Sequence, residues 1–91
     1  MNIHRGEIIL HKFDYEDGGH SINYSFDGNK DFNWKTKAFR IFKNQCVGHP
    51  NMTIFKCKTV RDERYEKAKQ ILITAGYEAI EGWENYLSRF K

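Results

Sequence analysis

The chain has 91 residues, 40% hydrophobic, 15% aromatic and 30% charged, with a formal net charge of +3. This length holds one domain, residues 1–91, with a modest core, and the even mixture of apolar and charged residues excludes a disordered tail. There is no apolar run of roughly 18 residues to span a membrane, and the apolar run in "MNIHRGEIIL" is too short for a secretion signal, so a cytoplasmic protein with no membrane partner is expected.

Glu7–Tyr15 is apolar and β-prone, and His20–Phe26 alternates Ile22, Tyr24 and Phe26 with Ser21, Asn23 and Ser25. Period two marks a half-buried strand. Glu16-Asp17-Gly18-Gly19 between them is turn chemistry, which predicts an antiparallel hairpin. Asp27–Asp31, "DGNKD", is a second turn. Trp34–Cys46 reads as a helix with Trp34, Ala38, Ile41 or Phe42, and Cys46 on its inner face, Asn33 as its cap, and Gly48 and Pro50 as its stop. A strand through "AFRIF" is the competing reading, because β-prone residues are dense there.

Asn51–Val60 is predicted as a strand, with Phe55, Cys57 and Thr59 inward and Ile54, Lys56 and Lys58 outward. Arg61–Ala75 is predicted as a helix that buries Tyr65, Ala68, Leu72 and Ala75 and ends at Gly76. Tyr77–Phe90 carries Ile80, Trp83, Leu87 and Phe90 at helical spacing, although "GYEAIEG" would also serve as a short edge strand before a last short helix. The order β-β-α-β-α-α defines an α+β fold: an antiparallel sheet of three or four strands with two or three helices packed on one face.

Charge is unevenly spread. Residues 1–33 carry a net −3, residues 34–61 a net +7 without one acidic side chain, and residues 62–91 a net −1. Lys35, Lys37, Arg40, Lys43, Lys56, Lys58 and Arg61 form the basic block, Arg64 extends it, and Trp34 stands at its start. Such cations neutralise phosphates, and interleaved aromatics stack on bases. The bland alternative is a set of solvated faces, the ordinary surface of any domain of this kind. Most of the aromatics belong to the core by their spacing, with Tyr15, Tyr86 and Trp34 expected to be partly exposed.

Other chemistries are less well supplied. Cys46-x2-His49 and Cys57, with His11 or His20, lack the second close pair that structural zinc sites use, so no metal and no cofactor is expected. No nucleophile motif surrounds either cysteine, and no phosphate-cradling loop occurs. The expected function is therefore a non-enzymatic binding or regulatory protein that docks its basic middle onto nucleic acid or onto a protein complex that handles it. The alternative is a protein-only inhibitor or adaptor of the kind phages and mobile elements encode, working through the acidic hairpin around Asp14, Glu16 and Asp17. A small nuclease or toxin using His20 with nearby acids is the third reading.

Overall fold

The computed structural model describes residues 6–25, 32, 35–47 and 54–90. In chain order the elements are β1 (Glu7–Asp14), β2 (His20–Ser25), α1 (Lys37–Gln45), β3 (Ile54–Phe55), α2 (Lys58–Thr74), β4 (Glu78–Glu81) and α3 (Trp83–Leu87). A single 3-10 turn, Ser88–Phe90, follows α3. No helix among the described residues is long and apolar enough to cross a membrane.

The hairpin forms where the alternation places it. β1 and β2 pair antiparallel from Ile9↔Ser25 to Asp14↔His20, and the Tyr15 N–H to Gly19 carbonyl bond closes the turn. Gly19 is there for space: a Cβ on it would lie 2.7 Å from Ile54 Cγ2. The sheet order is β3-β2-β1-β4. β4 pairs parallel with β1, so the sheet is mixed where an antiparallel one was expected. Of the two readings of residues 77–82, the edge strand holds. Ile80 lies buried in β4, while Trp83 and Leu87 are exposed on α3, so the three share no helical stripe.

α1 begins later than the apolar pattern suggests. Thr36 has extended backbone, and its hydroxyl accepts the Phe39 N–H at 3.1 Å, which makes it the cap. Asn33 and Trp34 lie outside the described residues, as do the turn at Asp27–Asp31 and the stop at Gly48 and Pro50. Of the strand predicted over Asn51–Val60, residues 51–53 lie outside the described residues, and among the rest only Ile54–Phe55 is strand. These two residues pair with Ser21 and His20, where β2 begins, so the chain beyond Phe55 has no ladder partner. It turns instead into α2, three residues earlier than the predicted start at Arg61. α2 ends as the sequence requires. Gly76 takes φ 96°, its N–H bonds the Ile73 carbonyl, and the Tyr77 N–H reaches back to Leu72.

Alternation in the strands sends side chains to two faces. Ile8, Leu10 and Ile22 meet Phe39 and Phe42 of α1 and Tyr65, Ala68 and Leu72 of α2 in the main core. Phe32 is fully buried at its centre, with ring centroids 5.2 Å from Phe39 and Phe42 and 5.0 Å from Tyr77. Edge-to-face pairs of this kind add roughly 0.5–1.5 kcal/mol each beyond the area they bury. On the reverse face Ile9 and Ile80 are paired and buried, outside that core. Among the described elements α3 contacts β1, β4 and its own 3-10 extension, and Arg89 pairs with Glu78, which has the same strand parity as Ile80. The two long helices thus cover one face, and α3 covers half of the other.

Candidate functional site

α1 has no acidic residue, and its inner side is set by burial of Phe39 and Phe42, with the capping Cys46 beneath them. Its side toward α2 is marked by Gln45, which accepts a hydrogen bond from Arg64 at 3.3 Å. At about 100° per residue, Lys37, Arg40 and Lys43 fall within roughly 120° of arc on the outer flank, away from the core, with Lys37 at the edge nearest α2. All three are exposed, and none makes an ion pair among the described residues. Lys35, also exposed, stands just before the capping threonine. These four cations are the part of the basic block that the fold gathers together.

The rest of the block goes elsewhere. Arg61 was expected on the basic surface, but it is 1% exposed and belongs to the interior. Its Nε donates to Asp62 at 2.8 Å and one terminal nitrogen to Asp14 at 2.9 Å. The other donates to the Phe13 and Ser21 carbonyls at 3.1 and 3.3 Å. This guanidinium fastens α2 to the end of the β1–β2 hairpin and has little left to offer a phosphate. Arg64 is half-buried and held by Gln45. Lys58 is in the first turn of α2, not on a strand, and its charge acts on Asp14 and Asp62. Lys56 is exposed between β3 and α2. Trp34 and His49 lie outside the described residues.

The acids and histidine at the hairpin end make the second cluster. His20 Nδ1 lies 2.8 Å from Asp14 Oδ1, as their facing positions in the hairpin allow. The His20 hydrogen bond, then the Arg61 guanidinium, hold the Asp14 carboxyl below its ordinary value. The Arg61 hydrogen bond does the same for Asp62, with help from Lys12. Lys12 also sits over the Tyr65 ring, 5.0 Å from its centroid. Paired in this way, the cations beside Asp14 and Asp62 are largely neutralised locally. The Asp14–His20 pairing was legible once the hairpin was drawn; the arrival of Arg61 was not, because it comes from another element.

The cysteines divide by environment. Cys46 is buried in the main core, and burial pushes its thiol up to about 12, so it stays protonated and inert. Cys57 is exposed at the start of α2. Among the described residues no group of three His, Cys, Asp or Glu side chains is placed to hold a metal ion.

Between the two helices runs an apolar hollow of about 410 Å³, lined by Lys37, Ala38, Ile41, Gln70, Ile71 and Ala75 among others. Its lining offers few polar atoms to fix a ligand, and no titratable pair faces into it. Comparison of the chain with known protein families, with curated proteins and with solved structures found no match.

Proposed function

We propose that this chain is a non-enzymatic binding protein that docks the outer flank of α1 onto the phosphate backbone of a nucleic acid. The observation that carries the reading is the flank itself: Lys37, Arg40 and Lys43 exposed side by side, on a helix without one acid to neutralise them. Long cationic side chains in water attract phosphates and release their counterions, and no ordered pocket is needed for this. Lys35 adds a fourth charge at one end. Arg61 plays no part in this contact, Arg64 supports α1 from behind, and Lys56 and Lys58 lie apart from the flank.

Three or four phosphate contacts on duplex DNA predict a fall in affinity of roughly 40- to 150-fold between 50 and 200 mM salt. Fluorescence anisotropy with labelled single- and double-stranded DNA and RNA measures it directly. Arg40→Glu with Lys43→Glu should abolish binding, while both side chains, being exposed, leave the fold intact. Absence of binding at 50 mM salt to all four probes would refute the reading and turn attention to an acidic protein face as the partner.

A further inference from the structure

Five of the eight large apolar side chains exposed among the described residues lie on one side of the molecule, the reverse of the sheet. They are Phe13 (43% exposed), Tyr15 (38%), Ile54 (37%), Trp83 (45%) and Leu87 (55%). Phe13, Tyr15 and Ile54 form a platform. The Phe13 and Tyr15 rings are 4.8 Å apart, and Tyr15 and Ile54 close over Gly19, which leaves no room for a Cβ. The Ser21 hydroxyl donates to the Tyr15 hydroxyl at 3.4 Å. Trp83 and Leu87 form a ridge. They stand four apart on α3, so they share its outer side. The ridge begins beside the platform, because the Gly82 N–H bonds the Leu10 carbonyl just before His11 and Phe13. One half of this sheet face is thus covered by a helix with an apolar back, and no other element among the described residues covers the other half.

We infer that this face joins two copies of the chain in a two-fold dimer, the α3 ridge of each seated on the Phe13–Tyr15–Ile54 platform of the other. A two-fold contact requires a surface that complements itself, and a ridge beside a platform does so reciprocally. Charge points to the same occupant. The platform strand residues on this face are His11, Phe13, Ser21, Asn23 and Ile54, with no Asp, Glu, Lys or Arg, so Glu84, the exposed acid beside Leu87 on the ridge, meets no like charge on them. The opposite side bears the cations of α1 and would repel its copy. Area sets the strength. Five side chains of on the order of 200 Å² each, a little under half exposed, bury roughly 440 Å² per copy and roughly 870 Å² in the pair, below the standard 1,200–2,000 Å². The dimer is therefore a weak one, with dissociation in the micromolar range. This inference stands apart from the nucleic-acid reading, since it uses the other side of the molecule.

Sedimentation velocity on the full chain, from about 1 to about 300 µM, tests it across the range a small interface predicts. The weight-average mass should climb from the 10.9 kDa of one chain toward twice that value. Leu87→Glu and Phe13→Lys, on different elements and both exposed, should each hold the protein at the monomer mass with an unchanged circular-dichroism spectrum. Ile41→Glu, on α1, should leave the climb intact. A monomer at every concentration overturns the inference. So does a dimer that survives both reverse-face substitutions.

Discussion

Replacing Arg61 with alanine should unfold much of what holds α2 against the hairpin. The side chain is 1% exposed, so truncation removes two buried methylenes, at about 0.8 kcal/mol each. It also removes the hydrogen bonds to the Phe13 and Ser21 carbonyls, worth about 1 kcal/mol net apiece. The ion pairs with Asp14 and Asp62 are left out, because both carboxylates reach solvent and are screened there. The sum is about 3–4 kcal/mol, against a total stability of roughly 5–14 kcal/mol for a chain of this length. In urea, with a slope near 1–1.5 kcal/mol per molar, the midpoint should fall by roughly 2–4 M. Arg40→Ala, an exposed cation of the same type, should change stability by no more than about 0.5 kcal/mol. A midpoint shift below about 0.5 M for Arg61→Ala would refute the assignment of Arg61 as an internal fastener, since the expected loss is several times larger. Its role as part of the basic docking surface would then return.

Acid should weaken the fold through the same cluster. Asp14 and Asp62 have folded-state carboxyls below their ordinary value, so their contribution is present above the unfolded value and is lost as pH falls through the folded one. Urea midpoints should therefore hold from neutral to about pH 4 and drop below it, and His20→Ala should flatten that drop by releasing Asp14. Parallel acid limbs for the parent and His20→Ala would show that the His20–Asp14 bond contributes nothing. A thiol reagent at mildly alkaline pH should label Cys57 alone in the folded protein and both cysteines after denaturation, because Cys46 is buried with its thiol pushed up to about 12. Labelling of Cys46 at the rate of Cys57 in the native state would contradict the core.

The amino-acid pattern was informative wherever the deciding contact is local. Alternation in His20–Ser25 and the turn chemistry before it made the hairpin legible, and Gly76 marked the end of α2 through its own φ. Helical spacing identified Tyr65, Ala68 and Leu72 as buried. It failed where a nearby competitor wins. Thr36 takes the cap, β2 runs out of partners for residues beyond Phe55, and β1 offers Ile80 a ladder that a helix over 77–90 would forgo. The aromatics show the same limit. Tyr15 is exposed as expected, but Phe13 and Trp83 are too, because the sheet has a reverse face that α3 only half covers.

By itself, then, the chain determined an α+β fold that opens β-β-α-β-α and a stretch of 28 residues, 34–61, without an acid, while the strand β4 before the last helix was one of two readings. Only the tertiary structure decided which of those cations meet water. Lys37, Arg40 and Lys43 stay on an open flank, while Arg61 turns inward to carbonyls 48 and 40 residues away and to Asp14. The charge of a side chain is written in its residue, but the partner that neutralises it is brought there by packing. Periodicity along the chain carries no record of which distant strand end a helix will land on.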